Sequence, residues 1–107
     1  MRHYFDAEVA AKIGLHEALI LDHIAFWIEK NYQRGQEPRE GRYWMYESVA
    51  KMAEAFPYLT GRQVRSALQS LLDQKIIICA NFNKQVRDRT KWYSITQEGF
   101  SLLAENG

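Results

Sequence analysis

Thr60, Arg62, Gln63, Arg65, Ser66 and Gln69 fall within ten consecutive positions, and each carries a group suited to nucleic acid. A guanidinium such as that of Arg62 or Arg65 presents a planar fork that can grip the O6 and N7 edge of guanine, and the Gln69 carboxamide can do the same for adenine. Ser66 is short enough to allow close approach. Thr60, Gln63 and the free amides beside them suit a phosphate, because a helix N-terminus is electropositive. A second cluster, Asn83, Lys84, Arg87, Arg89 and Lys91, makes a cationic finger fit to lie along a sugar-phosphate backbone or enter a minor groove. Asp88, set between Arg87 and Arg89, is expected to orient a guanidinium.

The formal net charge of +1 hides an uneven distribution. Residues 1–55 hold seven Lys or Arg against nine Asp or Glu, whereas residues 60–95 hold seven basic residues against only Asp73 and Asp88. Polyanion contact is therefore expected in the second half. Other chemistries find little support. His16 and His23 stand seven residues apart on one helix, roughly 10 Å along its axis, too far to share a metal, and no metal site or cofactor is expected. The single cysteine, Cys79, sits in the run Ile76-Ile77-Ile78-Cys79-Ala80 and is expected in the core. No nucleophile with an adjacent base, phosphate-binding glycine loop or paired carboxylates occurs at recognisable spacing, so neither catalysis nor a small-molecule ligand is expected. The longest apolar stretch, 18–28, is interrupted by Asp22 and His23 and falls short of the roughly 20 residues of a bilayer span. Asp6 precedes any apolar segment that could serve as a secretory signal, so a cytoplasmic location is expected.

The elements that must hold these residues follow from periodicity and stop signals. At 107 residues, of which 47% are hydrophobic, one soluble domain with one core is expected. Asp6 can cap a short helix over residues 7–13, which Gly14 ends. A longer helix starts near Leu15. Its apolar residues fall on two sides, Ile20, Leu21, Ile24, Trp27 and Ile28 on one and Leu15, Leu19 and Phe26 on the other, so both need cover. The first helix, a second copy of the chain forming a homodimer through residues 15–28, or a further region could supply it. A polar loop over residues 33–41 follows. Tyr43-Trp44-Met45-Tyr46 reads as a short strand, its aromatics anchoring the core and loop rather than a single-strand stacking platform, and residues 47–56 read as a helix stopped by Pro57. Thr60-Gly61-Arg62-Gln63 matches a capping box, with Leu59 and Val64 placed as a hydrophobic staple. The helix over 61–74 keeps Val64, Leu68, Leu71 and Leu72 on one face, with the polar candidates on or beside the other. Residues 76–81 and 90–95 read as a hairpin with a charged tip at 83–89, Trp92 packing against its sheet. Thr96 can cap a last helix holding Phe100, Leu102 and Leu103.

Helix, strand, helix, turn, helix and hairpin is the element order of the winged helix-turn-helix, mainly α with a small antiparallel β-sheet. In that arrangement residues 61–74 form the recognition helix and residues 82–91 the wing. Tyr93-Ser94-Ile95-Thr96-Gln97-Glu98-Gly99 is similar to the junction that closes the wing in MarR-like regulators, which implies that Tyr93 and Ile95 face inward. Phe56-Pro57-Tyr58-Leu59-Thr60-Gly61-Arg62-Gln63-Val64 and Asp88-Arg89-Thr90-Lys91-Trp92-Tyr93, with Glu17-Ala18-Leu19-Ile20-Leu21 and Phe26-Trp27-Ile28 upstream, resemble the N-terminal winged-helix domains of phage and mobile-element replication proteins, the replisome-organiser and DnaD-like group. This resemblance, over residues 9–99, implies duplex DNA binding in replication initiation, with further regions beyond the chain's end. Such domains commonly carry glycine after the recognition helix, where this chain has Lys75. Two alternatives stand beside it: a MarR-like transcriptional regulator, and a winged helix that docks on proteins through the two-sided helix.

Overall fold

A side-chain cap sets where the first helix begins. In a computed structural model, which describes residues 2–106, the Asp6 carboxylate accepts the Glu8 and Val9 amides at 2.8 and 3.2 Å and opens α1, Ala7–Ile13. Gly14, at φ +110°, joins α1 directly to α2, Leu15–Gln33, a backbone conformation that side chains disfavour. β1, Met45–Tyr46, then precedes α3, Val49–Ala55. Next come α4, Gly61–Asp73, the strands β2, Ile77–Ala80, and β3, Trp92–Ile95, and finally α5, Gln97–Asn106. Among the described residues the fold is thus mainly helical, with one three-stranded antiparallel sheet in the order β1-β3-β2.

The strands expected at 76–81 and 90–95 are shorter, Ile77–Ala80 and Trp92–Ile95, and at two other boundaries a side chain has claimed the backbone. The expected strand at 43–46 shrinks to Met45 and Tyr46, since the Trp44 amide donates to Gln36 Oε1 and the Trp44 carbonyl accepts from the Asn31 and Gln36 side chains. The helix expected from residue 47 starts at Val49, because the Ser48 hydroxyl accepts the Lys51 amide and acts as the cap. Trp44 itself is fully buried and donates its indole N–H to the Arg39 carbonyl, so it pins the polar loop to the core.

α2 lies at the centre. Ile20, Leu21, Ile24 and Ile28 enter the main core with Met52, Val64, Leu68, Leu71, Ile77 and Ile95, while Val9 and Ile13 of α1 join the same cluster. Of the helix's second apolar side, Leu19 is buried and only Leu15 and Phe26 stay exposed. No helix among the described residues is long and apolar enough to cross a membrane. Beside Phe26, Asp22 borders a hollow of about 250 Å³ that His3 and Phe56 also line. Partial desolvation pushes the carboxyl of Asp22, a residue that stays exposed at the surface, above its ordinary value of 3.8, against the pull of His23 and His3. The folded chain therefore binds this proton more readily than the unfolded chain, and stability falls as pH rises through that window. Asp22→Asn is expected to unfold at a higher temperature than the wild type at neutral pH. Thermal melts in a pH series should show the gap closing toward pH 3.8.

α4 ends in a paired C-terminal motif: the Lys75 amide bonds the Leu72 carbonyl and the Ile76 amide bonds the Leu71 carbonyl, both at 3.0 Å. This geometry needs a left-handed residue, and Lys75 supplies it at φ +60°. A non-glycine residue pays roughly 1–2 kcal/mol there, partly offset because glycine loses more entropy on folding. Lys75→Gly is therefore expected to stabilise the fold by about 0.5–1 kcal/mol, measured as a higher denaturant midpoint at unchanged slope.

The sheet's inward face carries Met45, Tyr93, Ile95 and Ile77, all buried. Cys79, expected in the core, is exposed. It lies on β2 at the sheet's edge, where burial is lost after Ile77 as the strand runs toward its tip loop. The last helix rests on Thr96, whose hydroxyl accepts the Gly99 amide and reaches the Ile76 carbonyl at 2.9 Å. A side chain at Gly99 would collide with that carbonyl. Leu102 and Leu103 pack against the core, while Phe100 points outward at 50% exposure.

Candidate nucleic-acid interface

The start of α4 is built by its own side chains. Thr60 Oγ1 accepts the Gln63 amide at 3.1 Å and Gln63 Oε1 accepts the Thr60 amide at 2.9 Å, a complete capping box. These two residues thereby spend their best groups on the helix, leaving the Gly61 and Arg62 amides as its first-turn donors. Beyond the cap, Val64, Ala67, Leu68 and Leu71 are buried, and Arg62, Arg65, Ser66 and Gln69 are exposed.

That exposed face divides in two. Arg65 and Gln69 border a cleft of about 590 Å³ whose opposite wall comes from the loop between β2 and β3, with Arg87, Arg89 and Lys91. Arg62, Gln63 and Ser66 instead border a separate hollow of about 290 Å³ beside His16 and Glu17 of α2. Gln69 Nε2 donates to Asp73 Oδ1 one turn on, at 2.9 Å, so its amide must turn away from that partner to read a base. Lys84 is exposed within the loop.

Charge in the cleft is unevenly committed. Among the described residues, Arg65, Arg87, Arg89 and Lys91 make no ion pair. The acids beside them are occupied elsewhere. Glu47, which lines the cleft floor, meets the buried His23 Nε2 at 2.9 Å. Asp88 does not orient a guanidinium as the sequence suggested: its carboxylate accepts the Tyr46 hydroxyl at 2.5 Å and the Thr90 amide at 3.0 Å. Those bonds, the phenol's first, hold the Asp88 carboxyl below the ordinary carboxylate range, and the same bond raises the Tyr46 phenol. The result is a groove bordered by four cations that make no ion pair among the described residues.

Asn83 has an internal role. Its Nδ2 donates to the Asp88 and Thr90 carbonyls at 2.9 and 2.6 Å, and its Oδ1 accepts the Trp92 indole N–H at 2.7 Å. Trp92 packs edge-on against Phe82 and tilts over Tyr46, while the Arg39 guanidinium lies 5.2 and 5.5 Å from the Phe82 and Trp92 ring centres. The sequence reading missed Tyr46, Glu47 and Arg39 as neighbours of this region, because only the β1–β3 pairing of Tyr46 with Trp92 brings the chain before α3 beside the loop. Asn83 and Asp88 carried a legible signal, since both residue types favour side-chain-to-backbone turns.

No group of three or more His, Cys, Asp or Glu able to hold a metal occurs among the described residues. Comparison of the chain with protein-family models, with curated proteins and with solved structures finds no match in any of the three.

Proposed function

We propose that this chain binds duplex DNA as a winged helix-turn-helix domain, with α4 as recognition helix and the β2–β3 loop as wing. The observation that carries the reading is the groove between them, bordered by Arg65, Arg87, Arg89 and Lys91 without an ion pair on any of the four among the described residues. Unpaired arginines and lysines facing one groove are what a phosphate backbone recruits, since each contact releases condensed counterions. The order α2, β1, α3, α4, β2, β3, with β1 added to the hairpin, supports the same arrangement. Arg65 and Gln69 stand where base edges would be read, and Arg87, Arg89 and Lys91 where backbone or minor groove would be held. The resemblance to phage and mobile-element replication proteins favours a part in replication initiation over MarR-like transcriptional control.

Fluorescence anisotropy of a labelled random-sequence duplex tests this. Affinity should fall steeply with salt, with a log–log slope near −3, about 0.9 for each of three phosphate contacts. Absence of binding at low salt, or binding indifferent to salt, would refute it. Leu15 and Phe26, exposed on α2, favour a second reading in which the domain docks on a protein. Such apolar contact would persist in salt.

A further inference from the structure

The loop between β2 and β3 could be a loose basic finger, but its hydrogen bonds describe a braced one. One carboxamide, that of Asn83, bonds the carbonyls on both sides of Arg89, those of Asp88 and Thr90. Its own orientation is locked, because Oδ1 is held by the Trp92 indole N–H. From the other side the Asp88 carboxylate closes a turn onto the Thr90 amide and is itself tied to β1 through the Tyr46 hydroxyl. Trp92 and Tyr46 are cross-strand partners in the sheet, so the bracing rests on the most regular part of the region. The Arg89 backbone is thus clamped at both neighbouring residues while its side chain stays exposed on the groove.

We propose that Asn83 and Asp88, with Tyr46 and Trp92, form a positioning frame that presents Arg89 and its neighbours Arg87 and Lys91 to DNA, and that Asn83 sets affinity without touching the ligand. The inference rests on the duplex-binding reading and adds to it. Four side chains in this frame direct their hydrogen-bonding atoms into the loop rather than out of it, the reverse of what a contact residue does. A loop already ordered in its bound form avoids the entropy of ordering at association, so affinity rises without any added contact. The number of phosphates neutralised in the complex is the same with and without the frame. Affinity and salt slope therefore separate the two roles.

The test is anisotropy of a labelled random-sequence duplex over a salt series, using the full chain and the variants Asn83→Ala, Tyr46→Phe and Arg89→Ala. Asn83→Ala is expected to bind about tenfold more weakly at every salt concentration with the wild-type slope. Tyr46→Phe, which keeps the ring against Trp92 and loses only the hydroxyl, is expected to fall between the two at the same slope. Arg89→Ala is expected to lower the slope by about 1. NMR relaxation should show greater backbone mobility at residues 87–91 in Asn83→Ala. If the slope falls by about 1 in Asn83→Ala, Asn83 is a contact residue and the frame is refuted. Wild-type affinity in Asn83→Ala refutes it too, leaving duplex binding intact. A wild-type chain that fails to bind removes the duplex reading, and the frame's role falls with it. Should Asn83→Ala not fold, Tyr46→Phe decides by the same criteria.

Discussion

Replacing Arg65, Arg87, Arg89 and Lys91 together by alanine is expected to weaken duplex binding by on the order of 10³-fold at physiological salt, from roughly 1 kcal/mol for each cation. The log–log salt slope should move toward zero by about 3, because each of the three phosphate contacts contributes about 0.9. All four side chains are exposed and make no ion pair among the described residues, so the variant should keep its fold, with each substitution costing no more than about 0.5 kcal/mol. Arg62→Ala is the matched control. Arg62 borders the hollow beside His16 and Glu17 rather than the groove, so its loss should leave the slope nearly unchanged. Anisotropy titrations of the quadruple and single variants, with circular dichroism to verify folding, read out both effects. If Arg62→Ala matched the quadruple variant, the DNA would have to lie across the other side of α4.

The largest expected effect on stability is at Trp44. Trp44→Ala empties a fully buried site and strips the Arg39 carbonyl of its indole donor, and such truncations cost about 3–5 kcal/mol. Against a typical total of about 5–15 kcal/mol this should lower Tm by more than about 10 °C. The polar loop should loosen as well, since Trp44 is what holds it. Trp44→Phe keeps much of the buried ring and loses the hydrogen bond, so it should cost clearly less than Trp44→Ala, as thermal unfolding followed by circular dichroism would show. A near-native Tm for Trp44→Ala would mean that the loop and the strand after it contribute little to folding.

Much of the fold was legible because it is written in local signals. The capping box at Thr60 and Gln63, the Asp6 cap and the one-sided apolar pattern of α4 each act within a few residues, and each places an element boundary to within a residue. Reading failed where a distant group had intervened. Gln36 and Asn31 take the Trp44 backbone out of the sheet, which pattern alone cannot show. Cys79 looked like core because its run is apolar, yet burial at an edge strand depends on whether a helix lies over that point of the sheet. The site followed the same rule. The candidates on α4 and the loop were visible as residue types, but their sorting into Arg65 and Gln69 on the groove and Arg62, Gln63 and Ser66 away from it depends on where the loop folds back. The different fates of Asn83 and Asp88 within that loop needed the partners Trp92 and Tyr46. At the helix exit, sequence showed a lysine where glycine would be expected, and the structure shows it held in a glycine-like backbone conformation.

The measurement that bears most directly on the central claim is amide chemical-shift mapping of the full chain by NMR during titration with a short duplex. Duplex binding through α4 and the wing predicts shifts concentrated at Arg65, Gln69 and residues 87–91, fading as salt is raised, with Leu15 and Phe26 unmoved. Shifts confined to the Leu15 and Phe26 side of α2, or none at low salt, would contradict it.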